Sequence, residues 1–148
     1  GIKLKPPQNG ILFQRRPGTT AVSIVLFRDP PFQVELISFE PGSLIPEHRH
    51  DHVDSIEVMV SGALDLYVDE RQCVYERGPR IKTGMNRDVL KFVPIPRDAY
   101  HHGKSGQGGC FLSVQMWNDM QPTHVGIEWQ DPGDRTFTDV KERTKSWA

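Results

Sequence analysis

The sequence predicts an all-β sandwich or barrel, and three observations carry that expectation. Thirteen glycines and 12 prolines are spread along all 148 residues and cut the chain into short segments. Most of those segments are β-branched or aromatic, or alternate with a period of two. Almost no stretch shows the helical period of apolar residues. The length suits one domain with its own core: an arm over residues 1–20, a barrel over 21–130, and a tail over 131–148 that packs on or extends from it.

Taken in order, the arm is rich in Pro, Gly, Gln and Arg, with one apolar cluster over residues 11–13 that suits an edge strand. Residues 21–27, AVSIVLF, read as a buried strand ended by Asp29-Pro30-Pro31. Residues 32–39, FQVELISF, alternate and suit a half-buried strand, closed by the Pro41-Gly42 turn. A histidine-bearing strand follows, then residues 55–60 and, after Ser61-Gly62, ALDLYVD, which together look like a hairpin. Residues 70–87 read as a charged, irregular excursion, and 89–94, VLKFVP, resume strand character. A turn over RDAYHHG delivers His101 and His102, CFLSVQMW at 110–117 is another strand, and 125–129 can form one more. The polar tail TFTDVKERTKSWA suits a short helix or a loose arm.

A net charge of −1, from 18 basic and 19 acidic residues, gives no electrostatic reason to expect nucleic acid or a membrane surface as partner. No apolar run approaches membrane length and GIKLKPPQNG lacks a signal-peptide core, so a cytoplasmic protein is expected. Cys73 and Cys110 lie far apart and read as unlinked thiols. Arg15-Arg16 reads as part of a solvated arm and His124 as a loop residue.

The chemistry concentrates in residues 41–62, PGSLIPEHRHDHVDSIEVMVSG. His48, His50 and His52 recur at every second position, so an extended strand would put them on one face. Glu47 and Arg49 would then point to solvent. His101 arrives from a separate segment, with His102 facing the other way. Imidazole and carboxylate ligands on one concave face suit Fe(II), Mn(II), Ni(II), Cu(II) or Zn(II).

The spacing of these residues resembles the cupin superfamily. Gly42, five residues, His48-Arg49-His50, four residues, position 55, six residues, Gly62 keeps every interval of that family's first motif, with Pro46 two residues before the first histidine. The second motif is matched by Pro96-Arg97-Asp98-Ala99-Tyr100-His101, with Asp98 where glycine is usual; an Asx residue tolerates such a turn. The resemblance covers roughly residues 21–130, most of the chain, and implies a double-stranded β-helix, or jelly-roll barrel, with one divalent transition metal ion, iron first, in its pocket.

One departure matters: Ser55 stands where the family has its ligating glutamate. Three ligand sets follow. The preferred one is His48, His50 and His101 with Glu57, two residues along the same strand, as a fourth ligand. A slipped frame would pair His50 with His52, and a third alternative keeps the three histidines with no carboxylate, as some members of the superfamily do. In the preferred frame His52, Asp54, Ser55 and Tyr100 line the pocket or orient the ligands from behind, and Met59, Phe92 and Gln115 add to its wall.

What the resemblance implies for function is broad. The leading expectation is an Fe(II)-type dioxygenase, a small oxidoreductase acting on a small organic molecule and assembled as a homodimer. A metal-dependent isomerase or lyase and a non-catalytic ligand-binding barrel are the rivals, the latter favoured by Ser55.

Overall fold

The computed structural model describes residues 8–15, 18–68, 80–82 and 92–131. The expected excursion over 70–87, Cys73, Arg16 and the tail over 132–148 lie largely or wholly outside them. The described chain forms nine antiparallel strands: β1 (Gly10–Phe13), β2 (Ala21–Asp29), β3 (Phe32–Phe39), β4 (Ser43–His48), β5 (Val53–Val68), β6 (Arg80–Lys82), β7 (Phe92–Ile95), β8 (His101–Ser105) and β9 (Gly109–Trp117). Their order is β1-β2-β3-β9-β5-β8-β4, with β6 and β7 also on β5. Among the described residues no helix is long and apolar enough to cross a membrane.

The sheet curls into two walls because one strand belongs to both. The first half of β5 pairs with β9 and β7, and its second half with β8 and β6. The expected hairpin at Ser61-Gly62 is therefore replaced by one continuous strand of 16 residues. A bulge between Met59 and Ser61, and Gly62 at φ +75°, bend it without ending it. The bulge also changes parity: Val53, Ser55, Glu57 and Met59 face inward before it, and Leu64, Leu66 and Val68 after it. A break in alternation looks the same in sequence whether the chain turns back or only kinks.

Ala21, Ile37, Phe39, Met59, Leu64 and Phe111 join one contiguous core cluster. In β3 and β9 the inward set is the polar one at one end: Gln33, Glu35, Ser113 and Gln115 are at most 1 % exposed, while Phe32 and Met116 face out. Only the first part of β2 is buried; Leu26 and Phe27 are exposed where the β2–β3 hairpin runs on to its tip at Pro30-Pro31. The expected strand over 125–129 is instead a coiled segment, in which the N–H groups of Ile127 and Glu128 both donate to the His124 carbonyl. Only Gln130 bridges back, to Arg49.

Candidate metal centre

The centre forms where β4 ends and β8 begins. His48 and His101 are direct partners across that ladder, and His50 follows two residues beyond His48, outside the strand. A bulge between Ile45 and His48 breaks the expected alternation. In consequence Pro46, Glu47 and His48 are all buried, so Glu47 is not the solvated residue its position suggested. His48, His50 and His101 each offer a ring nitrogen, and the three lie within 4.8 Å of one another. No other described group of His, Cys, Asp or Glu clusters in this way.

Each of the three rings is oriented by a backbone carbonyl. The Nδ1 of His48 lies 2.7 Å from the Pro46 oxygen, that of His101 lies 2.9 Å from the Ala99 oxygen, and that of His50 meets the Glu128 oxygen. A carbonyl can only accept, so each Nδ1 carries a hydrogen, and a neutral ring held in this way keeps its lone pair on Nε2. One nitrogen of each ring is left to face the other two. A carbonyl on Nδ1 is how metal-ligating imidazoles are commonly held.

Electrostatics agree with that tautomer. Burial, helped by the neighbouring imidazoles, holds His48 well below the ordinary histidine range and pushes His101 down to about 3. Both rings are therefore neutral at physiological pH. Beside them Trp129 stacks flat on His48, with centroids 3.4 Å apart and planes 6° apart, and Arg15 lies over the Trp129 ring with its Cζ 5.2 Å from the centroid. The Glu128 carboxylate comes to 3.3 Å from His50 Nδ1. Burial would raise its pKa, but His50, the Asp51 N–H and His52 together hold it below the usual value.

The cavity below the histidines has a volume of about 60 Å³, room for a small organic molecule or a few waters. Its wall is mainly apolar, with Ala21, Ile37, Phe39, Leu64, Leu66 and Phe111 contributing. Glu57, Ser55 and Ser113 supply a polar patch on the wall built by β5 and β9.

The structure separates the expected residues into two sets. It brings His48, His50 and His101 together, but Glu57 is not part of that nitrogen group. The Glu57 Oε1 instead accepts hydrogen bonds from Ser55 Oγ at 2.8 Å and Ser113 Oγ at 3.2 Å. Burial, offset only in part by those two hydroxyls, pushes its pKa up to about 8. The group that lies together is thus the three histidines, without Glu57.

Ser55, at the family's glutamate position, thus lines the cavity and fixes Glu57. His52 is half-buried and outside the cavity wall; its carbonyl accepts from the Asn118 N–H at 2.7 Å. The slipped frame needs His52 beside His50, and His52 is not in the nitrogen group. Asp54 also leaves the site: it accepts from the Arg97 N–H at 3.0 Å and Asn118 Nδ2 at 2.9 Å, tying β5 to the turn that delivers His101. Tyr100 lies under the Arg49 guanidinium, 5.3 Å from Cζ, and His102 stacks on Tyr67 with planes 9° apart. Met59 is core, Phe92 is 63 % exposed, and Gln115 sits behind Ser113 rather than on the cavity wall. His124 is a loop residue as expected, yet its ring reaches Glu35 at 3.1 Å in the buried polar network.

Sequence reasoning missed Glu128, Trp129 and Ser113. Ser113 had a usable signal, since it shares a face with Gln115 in an otherwise apolar strand. Glu128 and Trp129 had none, because their roles depend on a loop conformation.

The neutral imidazoles make the metal-free fold sensitive to acid. His101 takes its proton at 6.5 when unfolded and only near 3 when folded, so its contribution is intact above 6.5 and is lost as pH falls toward 3. By pH 5 the loss is roughly 2 kcal/mol. Glu57 runs the other way, contributing below 4.5 and losing that contribution as pH rises toward 8. The stability difference between wild type and His101→Leu should therefore change by about 2 kcal/mol between pH 6.5 and 5. Urea denaturation of the metal-free proteins reads it, and an unchanged difference contradicts a buried neutral ring.

No protein-family model matches this chain, and no curated protein does. Solved structures do match. A cupin-2 domain protein from Rhodospirillum rubrum (Rru_A2000) superposes with TM-score 0.59 at 15 % identity, covering 94 % of this chain and 88 % of its own. A cupin 2 conserved barrel domain protein from Rhodopseudomonas palustris gives 0.57 at 18 %, covering 92 % and 83 %. KdgF from a Halomonas species gives 0.55 at 16 %, covering 73 % and 86 %. At such identities the likeness is one of fold: this chain shares the double-stranded β-helix of these cupin structures.

Proposed function

We propose that this chain is a metal-dependent enzyme acting on a small organic molecule, with His48, His50 and His101 as ligands through Nε2 and Fe(II) as the working ion. The observation that carries the reading is the set of three backbone carbonyls that fix three Nδ1–H groups and leave three lone pairs converging. A divalent ion held by three neutral ligands supplies a Lewis acid with open positions and, as iron, an electron donor for dioxygen chemistry. The chain's own residues hold and orient the rings, and its apolar cavity wall excludes water from whatever binds there. An oxygenase is the leading form of the proposal. An isomerase or lyase is the second, favoured by the neutral carboxyl of Glu57, which suits proton transfer.

The test is metal analysis of protein purified without a chelating resin, followed by turnover of small oxo acids and enols with and without dioxygen. About one equivalent of iron and oxygen-dependent turnover are expected. Equal anaerobic turnover moves the assignment to an isomerase or lyase. A protein that takes up no Fe(II), Mn(II) or Zn(II) leaves a binding barrel.

A homodimer belongs to the same proposal. Phe32, Ile56, Val114 and Met116 are exposed on the outer face of β3, β5 and β9 around an open groove of about 360 Å³, a surface that a second copy would cover.

A further inference from the structure

The coiled segment over residues 124–130 holds two of the three histidines, and it carries a charge that the metal-centre reading leaves unused. Trp129 covers the ring of His48, and Glu128 meets His50 twice. The main-chain oxygen of Glu128 accepts the Nδ1 hydrogen, and its side-chain Oε2 lies 3.3 Å from the same nitrogen. Oε2 is buried and has no hydrogen-bond partner, so this second contact is one of charge rather than a directed bond. A buried carboxyl oxygen in that state calls for an explanation.

The other oxygen shows how the group is placed. Oε1 accepts from the N–H of Asp51, one residue past His50, at 3.2 Å. Both oxygens thus face N–H groups, which is the arrangement of an ionised carboxylate. The segment itself is pinned along its length. The Val125 N–H donates to Glu35 Oε2 at 3.1 Å, Arg15 Nη2 donates to the Gly126 carbonyl at 2.7 Å, and Gln130 exchanges both main-chain hydrogen bonds with Arg49. Glu128 is therefore delivered to His50 by a braced backbone.

Charge decides what the contact is for. His48, His50 and His101 form a group of nitrogens alone, so as neutral rings they bring no negative charge to a dication. A carboxylate against the Nδ1 side of one ring draws on its proton and makes the opposite nitrogen a stronger donor. Glu128 is not on the cavity wall, so it exerts this effect without touching a bound molecule.

We infer that Glu128 is a positioning residue of the metal centre: its carboxylate, set behind His50 rather than on the ion, orients that ring and strengthens it as a ligand. The inference rests on the metal-centre reading and adds where the compensating charge comes from.

Glu128→Gln keeps the side-chain length and the main-chain carbonyl and removes the charge. Calorimetric titration with Zn(II) should give an affinity at least about tenfold below wild type, the usual cost of losing an outer partner of a ligating imidazole. Asp51→Asn is the comparison, because Asp51 also adjoins His50 but is paired with Arg49 at 2.8 Å. It should lose less than about threefold, as a half-exposed, already paired charge does. Equal losses in the two variants, or none in Glu128→Gln, overturn the inference and leave metal binding standing.

Nuclear magnetic resonance of the metal-free proteins reads the ring without the ion. The Nδ1–H resonance of His50, identified by its loss in His50→Gln, should move in Glu128→Gln and stay in place in Asp51→Asn. An unmoved resonance in Glu128→Gln overturns the inference whatever the affinity, since the carboxylate would then not act on the ring. If the glutamine protein does not fold, Glu128→Met, uncharged and of similar length, takes its place. A wild type that binds no Zn(II) sinks the metal reading and the role of Glu128 with it, while the resonance still decides the contact.

Discussion

Replacing His48 and His101 together by alanine is expected to abolish metal binding while leaving a folded barrel. The two rings face each other across the β4–β8 ladder, 4.0 Å between centroids, and each is anchored by a carbonyl of its own segment. Loss of a group that merely orients a ligand typically costs 10–100-fold in affinity. Loss of two of three ligands should exceed that by a wide margin, since His50 alone offers a single nitrogen. The substitutions also remove two buried polar rings whose pKa values burial holds below the usual range. The metal-free variant should therefore show near-wild-type circular dichroism. Calorimetric titration with Zn(II), beside elemental analysis, is the check. Stoichiometric binding that survives the double substitution would place the ion elsewhere.

Gly62→Ala is expected to be among the most destabilising single methyl additions in the described chain. Gly62 has φ +75°, a left-handed conformation that costs an L-residue about 1–2 kcal/mol. Its strand also crosses against Gly108 and Gly109 at this point. A Cβ there would overlap the Gly108 carbonyl oxygen and come within 2.6 Å of Gly109 Cα, all of it backbone that cannot swing aside. The total should exceed about 4 kcal/mol, a large share of the 5–15 kcal/mol that ordinarily holds a domain together. Gly42→Ala is the control: its φ is +79°, but nothing lies within 4 Å of the added carbon. Thermal denaturation should show a fall of more than about 10 °C for the first. The second should lose only a few degrees. Equal losses would mean that strain alone, not the crossing, decides the outcome.

Much of this architecture was legible in the residues. Gly42, His48, His50, Gly62 and His101 kept their intervals because turns and ladder pairs impose them, and such constraints survive where side chains do not. The strands β2, β3 and β9 announced themselves by composition. What stayed hidden depends on contacts distant in sequence. The continuity of β5 through Gly62 is set by Gly108 and Gly109, 46 and 47 positions later. The burial of Glu47 follows from a bulge, which alternation cannot register. Glu57 looked like a displaced ligand because position along a strand gives the face but not the partners. Ser113, 56 residues away, supplies one of the two hydroxyls that bond its Oε1.

The long strand through both walls has a bearing on how such a protein can change over generations. The three nitrogen donors reside on β4, on the segment just after it, and on β8, whereas β5 carries Ser55, Glu57, Leu64 and Leu66 into the cavity. The histidines that could hold an ion and the residues that shape the space beside them are thus written in separate stretches of the gene. Point changes along β5 could retune what fits, residue by residue, with the ion-holding set inherited intact. The histidine set and the cavity lining are separate along the chain even though the two walls are joined in space.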